Sequence, residues 1–138
     1  MADTSAIAAM ATAYAALNIS NGRAIYQRRR PVDERDPCDV LVPYNTHPHD
    51  ALLKVIDPYN LQITWYLQVT DDADTAITAL LKALKPYRGD TTAASSWTLD
   101  ANWHAKRLQI DGPHYLGTDT VSNLHKFVLN LHMQVVHA

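Results

Sequence analysis

The sequence predicts one α+β domain over residues 1–138, a mainly antiparallel β-sheet with two main α-helices packed on it. Three observations carry this expectation. A length of 138 residues is one domain's worth of chain, and 47% hydrophobic with 19% charged residues suits a packed core. Two segments have helical periodicity, and between and after them run segments of period-two alternation joined by short turn signals. No repeat or linker interrupts the order helix, strands, helix, strands, which favours an antiparallel or mixed sheet over a doubly wound parallel one.

Each element has its own justification. Ile7, Met10, Ala11, Tyr14 and Leu17 form the stripe of a first helix, which Thr4 or Ser5 can cap and Asn18–Gly22 can stop. Ala24–Arg28 reads as a short strand running into Arg28-Arg29-Arg30, and Pro31–Pro37 as a charged loop. Val40, Val42 and Tyr44 alternate with Leu41 and Pro43 in a second strand, which Pro43 places near an edge. Asp57-Pro58-Tyr59-Asn60 has the residues of a turn. The clearest strand follows, with Leu61, Ile63, Trp65, Leu67 and Val69 on one face and Gln62, Thr64, Tyr66, Gln68 and Thr70 on the other.

Asp71, Asp72 and Asp74 then open the clearest helix, since carboxylates suit the unpaired amides of a helix start. Its buried stripe is Ile77, Leu80, Leu81 and Leu84, and Pro86 and Gly89 end it. Asp90–Ser96 reads as a polar loop. Trp97–Ile110 alternates loosely, with His104, Lys106, Leu108 and Ile110 on one side. An Asp111-Gly112-Pro113 turn and a loop through Asn123 lead to a last strand, whose Phe127, Leu129, Leu131, Met133 and Val135 share a face.

Composition narrows the function. Twelve basic and fourteen acidic residues give a net charge of −2, which excludes binding to nucleic acid through general positive charge. The single cysteine, Cys38, excludes an internal disulfide and any CxxC motif, and reads as a small half-buried hydrophobe. Residues 1–5 lack a basic region, and Ile7–Leu17 is too short and Ala-rich to span a bilayer, so a soluble protein with no membrane partner is expected.

The census of chemistry is short. His47-Pro48-His49 is the only close histidine pair among seven histidines, and without a third ligand it reads as a solvated loop. His125 and His132 fall on opposite faces of a continuous strand, and His104 and His114 flank a turn. Ser95-Ser96 lacks a nucleophile elbow, and four glycines form no phosphate loop. The three aspartates at the second helix are explained by the helix start. No catalytic, cofactor or metal site is therefore assigned, and no enzyme is expected. Arg28, Arg29 and Arg30 are the one charge cluster: a candidate contact for phosphate or an acidic partner, or else a solvated strand end balanced by Asp33, Glu34 and Asp36.

Several strings are familiar together. Pro37-Cys38-Asp39-Val40-Leu41-Val42, then Leu61-Gln62-Ile63-Thr64-Trp65, then the helix Asp74–Leu84 resemble small tail-completion proteins of long-tailed bacteriophages. Gly112-Pro113-His114-Tyr115-Leu116-Gly117-Thr118-Asp119, followed after a spacer by Phe127-Val128-Leu129-Asn130-Leu131, is similar to the tail terminator and minor capsid group, where a P-x-x-L-G-x-D turn precedes the last strand. The likeness covers roughly residues 20–136 in element order. It implies a virion protein of the tail or neck, assembled in the host cytoplasm. Such a protein forms a homo-oligomeric ring, usually a hexamer, on the head-proximal end of the tail tube. Its partners would be the tail tube protein and the head connector or stopper, with DNA passing through the lumen without sequence-specific binding. The charged segment Arg28–Asp36 departs from that family's pattern. Two other readings stand beside it: a head-completion or stopper connector protein, and a small ligand-binding domain with a pocket beside Trp97 and Trp103, which fall on one face if they share a strand.

Overall fold

The structure, a computed structural model, describes residues 5–44, 57–88 and 96–137. Helix α1 (Ala6–Ala16) starts at Ser5, whose hydroxyl accepts a hydrogen bond from the Ala8 N–H at 3.3 Å. It ends where Asn18, Asn21 and Gly22 take positive φ angles that close the helix into the first strand. Its buried arc is wider than one stripe. Ala6, Ala9 and Ala13 are covered along with Ile7, Met10 and Tyr14, because small side chains let neighbouring elements approach the helix closely.

Strand β1 (Ala24–Gln27) pairs in parallel with β2 (Cys38–Tyr44), Ala24 opposite Cys38 and Gln27 opposite Leu41. Residues 28–37 carry the chain back to the level at which β1 began, so β2 must run in the same direction. β2 pairs antiparallel with β3 (Asp57–Leu67), and β3 pairs antiparallel with β6 (His125–His137). β6 then pairs with β5 (Trp103–Thr118), and β5 with the two-residue β4 (Trp97–Thr98). The order across the sheet is β1-β2-β3-β6-β5-β4. The fold is α+β and the sheet mostly antiparallel, but the β1–β2 pair makes it mixed.

One face of the sheet carries the core. Leu61, Ile63, Trp65 and Leu67 of β3 lie beside Leu131, Leu129, Phe127 and His125 of β6, and the apolar members of both rows are buried. Helix α1 packs over β1 and β2, and helix α2 (Asp71–Leu84) over β3 and β5, so both helices feed one core cluster. Val69, expected on the core face, lies past the end of β3 and is 50% exposed. The buried stripe of α2 is Ala73, Ala76, Leu80 and Leu84, rotated from the expected one, with Ile77 and Leu81 half-buried at its margin. A 3-10 turn at Lys85–Tyr87, with Pro86 inside it, ends the helix.

Two expected turns are corrected. Asp57-Pro58-Tyr59-Asn60 is not a turn; it forms the first four residues of β3, because β6 extends far enough to pair with them, placing Tyr59 opposite Met133 in the core. Pro58 near the start of its strand and Pro43 in the stretch of β2 that runs past β1 lie where a missing ladder donor is tolerated. Asp111-Gly112-Pro113 is not a turn either. It lies within β5, which continues to Thr118, and the real turn is Asp119–Leu124.

The sixteen residues of β5 face thirteen of β6, and three bulges absorb the difference. Arg107, Gly112 and Gly117, five residues apart, take positive φ at these bulges. The first reverses the alternation. Trp103, Ala105 and Leu108 therefore reach the core, while His104 and Lys106 leave it, so the four residues expected on one side are divided. At Gly112 a Cβ would lie 2.9 Å from the Val128 carbonyl oxygen, which excludes any side chain there.

Candidate functional site

The arginine cluster divides into unlike members. Arg28 takes φ 75° as the strand ends, its N–H donating to the Leu41 carbonyl at 2.7 Å, and both Arg28 and Arg29 project into solvent. Arg30 turns the other way. Its guanidinium stacks 3.9 Å from the ring centroid of Tyr66 and donates to the Asp119 carboxylate at 3.1 Å and to the Ser122 hydroxyl. The side chains of Arg30 and Asp119 are only 14% and 19% exposed. Arg30 therefore ties the segment after β1 to the β5–β6 turn, and is occupied. Of the three candidates, only Arg28 and Arg29 are free to meet a partner.

The β5–β6 turn explains the affinity of Asp119 for that arginine. Its carboxylate accepts from the Ser122 hydroxyl at 2.6 Å and the Ser122 N–H at 2.9 Å. The Ser122 bonds and then Arg30 pull the Asp119 carboxyl down from 3.8 to about 2. Across the same segment, Tyr26 donates its phenolic hydrogen to Glu34, which also accepts from the Asp36 N–H. That bond lowers the Glu34 carboxyl and lifts the Tyr26 phenol to about 12.

A buried polar cluster escaped the sequence reading. Asp39, on the core face of β2 and wholly buried, accepts from Arg23 Nε at 2.6 Å, Arg23 Nη2 at 3.2 Å and the Tyr14 hydroxyl at 2.6 Å. Trp65 Nε1 donates to the Tyr14 oxygen at 2.9 Å, and Arg23 Nη2 reaches the Ile19 carbonyl. Burial raises the Asp39 carboxyl above its ordinary value, against the opposing pull of Arg23 and Tyr14. Burial, and then the charge of Asp39, lifts the Tyr14 phenol well above its own. For Arg23 burial acts downward, but the hydrogen bond and charge of Asp39 outweigh it and raise the guanidinium. The cluster fastens α1, the α1–β1 loop, β2 and β3 to one another. A groove of about 320 Å³ opens beside it, lined by Asn18, Asn21, Arg23, Asp72 and Thr75 among others, but the Arg23 guanidinium in its wall is committed to Asp39.

The histidines are dispersed. His132 Nδ1 is 2.6 Å from Asn60 Oδ1, His125 Nδ1 is 2.9 Å from the Tyr115 hydroxyl, and His114 faces Asp111 at 3.3 Å. His125 and His132 do lie on opposite faces of β6. His104 and His114 flank no turn, both being strand residues of β5. No group of three or more His, Cys, Asp or Glu could hold a metal ion among the described residues, and His47-Pro48-His49 lies outside them. Cys38 is fully buried, which pushes its thiol up to about 11. No helix among the described residues is long and apolar enough to cross a membrane.

Trp97 and Trp103 do not share a strand. Each lies in its own arm of the β4–β5 hairpin, whose bend is held by Asp100 accepting from the Asn102 and Trp103 N–H groups. Both are buried in the core, at 5% and 1% exposure, with Trp97 stacked on Tyr87. The Trp97 ring braces β4 against the 3-10 turn.

Among the described residues, the large exposed apolar side chains are not dispersed. Val32, Val69, Tyr115, Leu116 and Val121 are each at least half exposed. Val69 follows the end of β3, where Leu67 pairs with His125; Tyr115 and Leu116 are near the end of β5; and Val121 is in the β5–β6 turn. Val32 follows Arg30, which is bonded to that same turn. All five therefore belong to one end of the sheet. No protein-family model matches this chain, and no curated protein matches it either.

Proposed function

We propose that the protein is a structural subunit of a phage tail, a ring-forming terminator that caps the head-proximal end of the tube and joins it to the head connector. The observation that carries this reading is the gathering of five exposed large hydrophobic side chains at the β5–β6 end. A soluble domain rarely leaves such side chains together unless another protein covers them. The resemblance adds to it. Its β strings Cys38–Val42, Leu61–Trp65 and Phe127–Leu131 lie in strands β2, β3 and β6, whereas its P-x-x-L-G-x-D stretch, a turn in the resembled pattern, is the bulged end of strand β5 as far as Thr118. In this reading the chain works by shape and surface, without a catalytic step. Tube growth stops because the cap offers the tube one complementary face and the head another.

Native mass spectrometry with negative-stain microscopy of the purified protein tests the reading. A closed homo-oligomeric ring is the expected result. A monomer carrying a bound metabolite would overturn it in favour of a ligand-binding domain. In the virus, deletion of the gene should give tails of irregular, excessive length that fail to join heads; heads that cannot retain DNA beside tails of normal length would point to a stopper instead.

A further inference from the structure

Helix α2 separates its charges. Asp71 and Asp74 are exposed in its first turn, at the end of the molecule that carries Val69, Tyr115 and Leu116. Lys82, Lys85 and Arg88 are exposed in its last turn and just past it, from about 12 Å away (Asp74 to Lys82) to about 21 Å away (Asp71 to Lys85) at 1.5 Å per residue. The fold adds a fourth cation that sequence distance hides. Arg88 bridges to Leu108 of β5, and Arg107 beside it is turned outward by the first bulge, at φ 56°, and is exposed. None of the four cations has an ion-pair partner among the described residues, where the pairs are Arg23–Asp39, Arg30–Asp119 and His114–Asp111. The separation of the two groups exceeds the screening length of about 8 Å at physiological salt, so they do not neutralise each other within one molecule.

We infer that Lys82, Lys85, Arg88 and Arg107 form the docking surface for a second copy of this chain, which presents the end bearing Asp71, Asp74 and the exposed apolar side chains. Charge complementarity selects this occupant. The chain's net charge is −2, which disfavours a polyanion as the occupant, whereas Asp71 and Asp74 beside the exposed Val69 match the cationic surface of a neighbour. Two unlike patches at opposite ends of one helix produce a heterologous contact, the kind that closes into a ring. The inference rests on the reading of the protein as a ring subunit, and gives that ring its lateral contact.

Charge reversal tests it. Lys82→Glu/Lys85→Glu and Asp71→Lys/Asp74→Lys should each weaken self-association at least tenfold in sedimentation velocity while the protein stays folded by circular dichroism. Mixed in equal amounts, the two variants should reassemble, because alternating copies restore complementary charge at every contact. If the reversal variants unfold, the neutral Lys82→Gln/Lys85→Gln pair should still weaken assembly. Variants that assemble like the wild type would overturn the inference and leave the ring reading standing. So would folded variants that stay apart on mixing, or a Lys82→Glu/Lys85→Glu protein that assembles normally but no longer retains a DNA duplex in a mobility-shift assay. A wild type that is monomeric at every concentration would overturn both.

Discussion

Arg30 and Asp39 show how a charged side chain is read differently once its surroundings are known. Arg30 looks like the third member of a surface cluster, yet its guanidinium is held by Asp119, Ser122 and the face of Tyr66. Arg30→Gln should therefore cost about 1–2 kcal/mol in urea unfolding, whereas Arg28→Gln/Arg29→Gln should change stability by less than about 0.5 kcal/mol. Asp39 is the more demanding case, being fully buried. Asp39→Ala would leave the Arg23 guanidinium, only 12% exposed, without its partner, at an expected cost of about 3–5 kcal/mol. Tyr14→Phe, which removes one donor to Asp39 and one acceptor for Trp65, should cost about 1–3 kcal/mol. Asp119 gives the pH dependence. Its carboxyl is lowered from 3.8 to about 2 in the folded protein, so the stability it contributes is present above 3.8 and is lost as pH falls through about 2. Asp119→Asn should flatten the acid limb of the stability profile over that window.

The long hairpin β5–β6 is where element-level reasoning is most exposed to error. Gly112 after Asp111, with Pro113 following, has the composition of a turn, but a glycine with φ 115° serves a bulge equally well. The neighbouring strand decides between them. β6 offers a strand of thirteen residues, and pairing along its length, with bulges to absorb the mismatch, outweighs turning early. Gly112→Ala and Gly117→Ala separate strain from collision. Both force a side chain onto positive φ, but the added Cβ collides with the Val128 carbonyl at position 112 and meets nothing within 4 Å at position 117. Gly117→Ala should cost about 1 kcal/mol, and Gly112→Ala clearly more, as measured by thermal unfolding. The rows of β3 and β6, by contrast, carry the core as their alternation requires. Leu129→Ala should cost about 2–5 kcal/mol.

Among the described residues, two α-helices shield one face of a six-stranded sheet. The large exposed apolar side chains collect near the β5–β6 turn, and Lys82, Lys85, Arg88 and Arg107 collect where α2 runs out against β5, apart from the exposed Arg28 and Arg29 that follow β1. The sequence by itself determined the α+β class, both helices, the strand row of β6, that of β3 up to Leu67, and a cap at Thr4 or Ser5, because periodicity and capping are local: each is set by residues within a turn or two of one another. Only the tertiary structure decided the parallel β1–β2 pair, the three bulges, the burial of Asp39 with Arg23 and Tyr14, and the division of the arginine triplet. The last two depend on partners far apart in the chain, Asp39 sixteen residues from Arg23 and Asp119 eighty-nine from Arg30. Sequence spacing carries no information about which of many distant groups will satisfy a buried charge or extend a ladder; that choice is made when the sheet closes and each buried polar group must find a partner.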